Sequence, residues 1–149
     1  MTHPTLSLNI PNARTPAASL CTGGQPSAQH IHEAKQQGVR TVINLRPPTE
    51  PCEFDEAALV TSLGMRYVNL PIAGPVDLTV ANAQKLAAAL AAAGDGATLV
   101  HCASSNRVGA LFALKAHFLD GLSIEEAVAI GRDAGLTAME SAVRQILGA

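Results

Sequence analysis

A strict alternation constrains this chain more than any other feature. Short apolar or β-branched runs alternate with longer helix-favouring stretches, and glycine or proline closes nearly every one. Residues 18–21 read as a short strand ended by Thr22-Gly23-Gly24. Pro26-Ser27 opens a helix to about Gln37, with Ser27 as N-cap and Gly38 as its stop. Residues 41–45, TVINL, read as a buried strand ended by Pro47-Pro48. A second helix spans 53–63, and residues 65–70 alternate as a strand. A loop with Gly74 and Pro75 follows, then an Ala-rich helix over 79–93. Residues 97–101 form a strand, 107–119 a helix, and two more helices follow. Their starts, Ser123-x-x-Glu126 and Thr137-x-x-Glu140, both have capping-box spacing.

This order predicts an α/β domain with a mostly parallel central sheet of about four to five strands flanked by helices. With 149 residues the chain fits one domain, expected over 18–149, preceded by a surface arm over 1–17. In such sheets ligands bind beyond the carboxyl ends of the strands. Arg46, the loop after Leu70 and the segment after His101 all lie at such ends.

Charge and cysteine content narrow the function. The net charge of −2, with basic residues scattered, argues against a nucleic-acid partner or a membrane surface. Cys21, Cys52 and Cys102 show no C-x-x-C spacing, so neither a disulfide framework nor a zinc site is expected. Free thiols fit a reducing compartment. The amino terminus lacks a basic start followed by an apolar run, and the apolar stretch 86–93 is too short to span a bilayer. A cytoplasmic location follows as the expectation. His30 and His32, two apart on one helix, face different ways and are not expected to share a metal.

The chemistry concentrates in Leu99-Val100-His101-Cys102-Ala103-Ser104-Ser105-Asn106-Arg107-Val108-Gly109-Ala110. A buried strand leads into a tight polar loop and then a helix. Amide groups of Ala103, Ser104, Ser105 and Asn106 can converge as an anion nest. The helix N-terminus adds partial positive charge and Arg107 a full one. All three stabilise a thiolate at Cys102. The same nest suits a phosphate, with Arg107 gripping two oxygens in a fork. Taken alone, Cys102 reads more readily as a buried structural thiol at a strand end than as a nucleophile, and Arg107 as a partner for a carboxylate; the loop that joins them favours the catalytic reading. Arg46 is expected to pair with Glu50 or Glu53 rather than to touch a substrate.

His-Cys-x(4)-Arg between strand and helix resembles the phosphate-binding loop of the protein tyrosine phosphatase superfamily, dual-specificity-like members included. It is most similar to a bacterial branch, the beta-lactamase hydrolase-like protein phosphatases. Three further segments carry the likeness: Gly24-Gln25-Pro26-Ser27, Val42-Ile43-Asn44-Leu45-Arg46-Pro47, and Gly64-Met65-Arg66-Tyr67-Val68-Asn69-Leu70-Pro71.

The resemblance implies a phosphatase acting without metal or other cofactor. Cys102 would attack phosphorus, Arg107 and the loop amides would hold the oxygens, and His101 would help position the loop and tune the thiolate. It also implies an acid in the loop after residue 70, for which Asp77 is the candidate, with Glu50 and Glu53 in reserve. Phosphorylated proteins or small phosphate esters would be substrates, and phosphate, sulfate or vanadate would inhibit. Few aromatics are present to wall a deep cleft, so broad phosphomonoesterase activity is expected, covering phosphoserine, phosphothreonine and phosphotyrosine.

The loop departs from the superfamily in two ways. Ala103 to Asn106 include no glycine, so Asn106 is expected to take any left-handed turn. Val108 stands where a hydroxyl often follows the arginine, leaving Ser104 or Ser105 to substitute. Two other functions fit Cys-x(4)-Arg: a rhodanese-like sulfurtransferase carrying a persulfide, and a phosphate-binding module without turnover.

Overall fold

A computed structural model describes residues 6–149. Five strands, β1 (Arg14–Ala17), β2 (Leu20–Gly23), β3 (Val39–Asn44), β4 (Arg66–Asn69) and β5 (Ala97–His101), form one sheet in the order β1-β2-β5-β3-β4. β2, β5, β3 and β4 run parallel, and β1 closes one edge antiparallel to β2. Chain order and spatial order differ at one point: β5, last in sequence, inserts between β2 and β3. The carboxyl end of β5 therefore opens at the centre of the sheet, flanked by the ends of both neighbours.

Both sheet faces are covered, as parallel strands require. Side chains alternate along each strand. Val42, Leu99 and Cys21 face α1 (Ala28–Gln36) and α2 (Glu56–Ser62), packing with Ile31 and Val60. Ile43, Val100 and Leu45 face the other way. There they meet α3 (Val80–Ala92), α4 (Asn106–Leu114), α5 (Ile124–Asp133) and α6 (Glu140–Leu147). Leu86, Leu111 and Leu114 are fully buried in this layer. Each such side chain stabilises the fold by roughly 1.5–3 kcal/mol.

α4 and α5 approach so closely that only glycine fits at the crossing. A Cβ on Gly109 would lie 2.1 Å from the Leu136 nitrogen, and one on Gly131 would lie 2.8 Å from the Gly109 oxygen. The approach presses the α5–α6 turn against the start of α4.

The sequence-based boundaries hold to within a few residues, with informative exceptions. The segment expected as a surface arm is docked from Leu6 onward. Leu6, Leu8 and Ile10 alternate into the core beside Cys21 and Ile31, and residues 14–17 add the edge strand. The Gln37 amide grips the backbone of Ser7 from both sides, at 2.7 and 2.8 Å. Residues 1–5 of that arm lie outside the described residues.

Ser27 caps α1 as expected, with His30 completing the box, and Ser123 with Glu126 caps α5. Thr137 and Glu140 form no box. α6 starts one residue beyond Met139, because the Asn106 side chain takes the Thr137 and Met139 amides at 2.9 and 3.2 Å. The long helix expected to run to residue 119 loosens into a π turn over Lys115–Leu119.

Candidate active site

β5 ends in His101, and the chain then makes a tight loop into α4. Two backbone contacts fix the loop's entry. The Cys102 amide donates to the Gly23 oxygen at 3.1 Å, and the Leu45 amide donates to the His101 oxygen at 2.8 Å. The parallel neighbours thus hold the strand end from both sides.

The outer wall of the loop comes from earlier in the chain. The Gln25 amide donates to the Ala103 oxygen at 3.1 Å, and the Asn12 amide side chain to the Ser104 oxygen at 3.1 Å. Gly24 must be glycine for this contact, since a Cβ there would sit 2.5 Å from the Ala103 oxygen. Ala103 and Ser104 are exposed, Asn106 and Arg107 half-buried, and Cys102 and Ser105 buried.

Ser105, not Asn106, takes the left-handed turn, with φ of 75°. It is held there by its own hydroxyl, which donates to the Ala134 oxygen at 2.9 Å. Thr22 donates to the same oxygen at 2.9 Å. Gly135, at φ of 118°, leaves room for Ser105, because a Cβ there would come within 2.2 Å of the hydroxyl. Asn106 is free of the turn and instead fastens the α5–α6 turn. The Ser105 hydroxyl is thereby committed away from Cys102, so it does not replace the hydroxyl missing at Val108.

Arg107 lies on the first turn of α4, where N–H groups have no acceptor within the helix. Its guanidinium has five N–H donors. Nη1 spends two, on Glu50 Oε2 at 2.7 Å and the Ile72 oxygen at 2.8 Å; Nη2 spends one, on Glu50 Oε1 at 2.9 Å. Nε–H and one Nη2–H remain, side by side on the opposite edge and unpaired among the described residues. That edge is a two-pronged donor. The hydrogen bond to Glu50 raises the affinity of Arg107 for its proton.

Glu50 joins two arginines. Arg46 Nε donates to its Oε1 at 3.0 Å, as expected for Arg46, while Arg46 Nη2 holds the Pro51 oxygen. Hydrogen bonds from Arg107 and then Arg46 pull the Glu50 carboxyl down to about 2. A group so firmly ionised cannot donate a proton near neutral pH, which removes Glu50 as a reserve acid. Glu53 is exposed on the approach to α2. Asp77 ends a 3₁₀ turn (Pro75–Asp77), where its Oδ2 accepts the Ala73 amide at 2.8 Å. Its loop is tied to the site through the Ile72 oxygen on Arg107.

His101 is fully buried, with Nδ1 3.2 Å from the Cys102 oxygen and Nε2 2.6 Å from Glu56 Oε2. Glu56 also accepts from Gln25 Nε2 at 2.8 Å. The sequence carries no local signal for this carboxylate, which meets His101 only through the fold. Cys21 is a contrasting thiol: burial alone pushes it up to about 11, which keeps it protonated and inert. Cys52 is exposed.

A mostly parallel sheet with a Cys–Arg loop leaving its central strand is the architecture of tyrosine-phosphatase-like folds. Solved structures agree. A candidate phosphatase of the DUF442 group from Shewanella putrefaciens CN-32 superposes with a TM-score of 0.70 at 25% identity, covering 93% of this chain and 92% of that one. TpbA of P. aeruginosa, crystallised with phosphotyrosine, superposes at 0.66 with 18% identity over 92% of this chain and 83% of its own, a likeness of fold.

Among curated proteins, a beta-lactamase hydrolase-like protein of Xylella fastidiosa is 33% identical over 121 residues, 78% of this chain and 27% of that protein. Its counterpart in Agrobacterium fabrum is 30% identical over 106 residues, 68% and 24%. The chain thus spans about a quarter of the length of these relatives. The family model described as the phosphatase-like domain of the beta-lactamase hydrolase-like protein matches residues 12–118, and the chain belongs to that family.

Proposed function

We propose that this phosphatase-like domain is a cysteine-dependent phosphatase that hydrolyses phosphomonoesters through a phosphocysteine intermediate. The observation that carries the reading is the open Nε/Nη2 edge of Arg107, on the first turn after the loop that Cys102 begins and held by Glu50 and Ile72. A fork already fixed by a carboxylate binds a second oxyanion without having to be ordered first.

Cys102 attacks phosphorus, the ester bond breaks, and the departing oxygen takes a proton from Asp77. Two equatorial oxygens lie on the Arg107 edge, and amides of the loop from Ala103 to Asn106 hold the charge. Water then attacks the phosphocysteine and releases phosphate and the thiolate. The positive charge is supplied by Arg107 and the backbone, so the reading needs no metal. Phosphate, sulfate and vanadate would compete for the same nest.

A groove of about 790 Å³ runs beside the loop, with Ala103 at its edge, Ser27 and His30 on one bank and Pro51 and Phe54 on the other. It is wide and mostly apolar, which suits the alcohol side of varied esters. Phosphoserine, phosphothreonine and phosphotyrosine in proteins, and small esters, are the proposed substrates.

The test is p-nitrophenyl phosphate hydrolysis without added metal, beside Cys102→Ser and a thiosulfate–cyanide assay. Phosphate release that disappears in Cys102→Ser supports the reading. Thiocyanate without phosphate would replace it with sulfur transfer. Silence in both, with vanadate still raising Tm, would leave only a binding module. Asp77→Asn separates the acid role: turnover of an alkyl phosphate should fall roughly 10²–10⁴-fold. Turnover of p-nitrophenyl phosphate, whose leaving group needs little protonation, should fall far less; equal losses would exclude Asp77.

A further inference from the structure

The segment ahead of β1 runs as a strap to the phosphate loop, and the chemistry above makes no use of it. Gln37 clamps Ser7 at one end, Leu6, Leu8 and Ile10 are buried along the way, and a turn at Pro11-Asn12 meets the loop. This turn and the β2–α1 connection build one wall. The Gly24 amide donates to the Pro11 oxygen at 2.7 Å, and the Gln25 amide donates to the Ala103 oxygen at 3.1 Å. Asn12 Nδ2 donates to the Ser104 oxygen at 3.1 Å. Two successive carbonyls of the loop are thus held against the same wall.

A peptide unit is planar and trans, so its N–H points opposite to its C=O. Holding the Ala103 and Ser104 oxygens at the wall turns the amides of Ser104 and Ser105 away from it. The second of these peptides is not in its easiest orientation. Ser105 has φ of 75°, and a Cβ disfavours a left-handed backbone. Rotating the Ser104–Ser105 peptide changes ψ of Ser104 and φ of Ser105 together, which relieves the left-handed φ. It also swings the Ser104 oxygen off the wall, toward the side where an oxyanion is bound by N–H groups. A carbonyl there repels the anion. The Ser105 hydroxyl, on the Ala134 oxygen, anchors the side chain. The peptide plane itself is held by Asn12. We propose that Asn12 is a positioning residue for the phosphate loop, its side-chain amide locking the Ser104–Ser105 peptide with the carbonyl outward and the N–H toward the oxyanion.

Asparagine meets two demands at this position. Its own φ is 55°, a left-handed value that Asn tolerates better than most residues, and its side chain carries an N–H donor. Glycine would meet the first demand alone. Aspartate would set an oxygen against the Ser104 oxygen. The turn is also firmly based, so a donor on it restrains the loop. Pro11 limits the backbone on one side of Asn12. Ile10 packs beneath β2 so closely that a Cβ on Gly23 would lie 2.3 Å from its Cδ1.

The inference rests on the loop binding a phosphoryl group, as proposed above, but its readout needs no turnover. The probe is orthovanadate, titrated by calorimetry and read again as the rise in Tm it causes. Asn12→Gly keeps the left-handed backbone and removes the donor. It should weaken vanadate binding about threefold to tenfold, the range of one hydrogen bond, while Tm without vanadate stays near the wild-type value. Unchanged affinity would overturn the proposal. A lower Tm without vanadate, with the vanadate-induced rise intact, would overturn it too, since a purely structural contact behaves that way. Ser105→Gly gives the second test, because glycine adopts a left-handed φ without steric cost. Added to Asn12→Gly, it should restore most of the lost affinity; a double variant no better than Asn12→Gly would contradict the peptide-rotation account. A chain that shows both effects yet hydrolyses no phosphate ester would sink the proposed function and leave this inference standing. An active phosphatase whose Asn12→Gly variant binds vanadate as tightly as wild type would do the reverse.

Discussion

Glu50 holds two arginines with one carboxylate, and its protonation undoes both contacts. Its folded value of about 2 lies below the ordinary 4.5. The sign follows from that order. The unfolded chain binds the proton more readily, so Glu50 contributes its full stability above 4.5 and loses it as pH falls toward 2. The difference in Tm between wild type and Glu50→Gln should therefore be largest near neutral pH and shrink across that window; a difference independent of pH would contradict the ion-pair account. Near neutral pH, Glu50→Gln should also lower kcat/KM by about tenfold to a hundredfold, because Arg107 loses its aim. Gly135→Ala tests the support beneath the loop. The added methyl meets the Ser105 hydroxyl at 2.2 Å in a left-handed backbone, so a loss of roughly 1–3 kcal/mol in chemical denaturation is expected. At this scale legibility tracks sequence distance. Cys102 and Arg107 share one loop and could be read together. The partners of Arg107 and His101 could not, since Glu50 and Glu56 stand 57 and 45 residues away from them.

The elements were legible wherever local chemistry decides them. Ser27 and Ser123 cap their helices because their hydroxyls reach an amide three residues on. Thr137 has the same spacing and fails, because the Asn106 side chain reaches its amide first from another helix. The crossing of α4 and α5 is likewise a tertiary feature, although Gly109 and Gly131 hint at it. Gly109→Ala should be the more damaging of the two substitutions. Its methyl would strike backbone at 2.1 and 2.5 Å, which forces the helices apart. A loss of about 3 kcal/mol or more is expected from denaturant titration. A cost under about 0.5 kcal/mol would mean that α5 can yield and that the turn at Ala134 is not fixed by this contact.

At the scale of the whole molecule, the alternating order of elements was enough to give a parallel sheet and the face that carries the loop. The role of the first residues was not, because Pro and Asn between Leu8 and Ala13 mask an alternating apolar pattern. Leu6, Leu8 and Ile10 bury themselves beside Cys21, and Asn12 reaches the loop. Ile10→Ala should cost roughly 2–5 kcal/mol by denaturant titration; a change within 0.5 kcal/mol, roughly the scatter of neutral surface substitutions, would show that the segment is not docked in solution. The central claim is the covalent step at Cys102. Its most direct test is rapid acid quenching during turnover of p-nitrophenyl phosphate, followed by mass spectrometry of the peptide that contains residues 99–107. The account predicts one phosphoryl group on Cys102, absent in Cys102→Ser together with the activity. Phosphate release that persists in Cys102→Ser, with no label on Cys102 in the wild type, would contradict it.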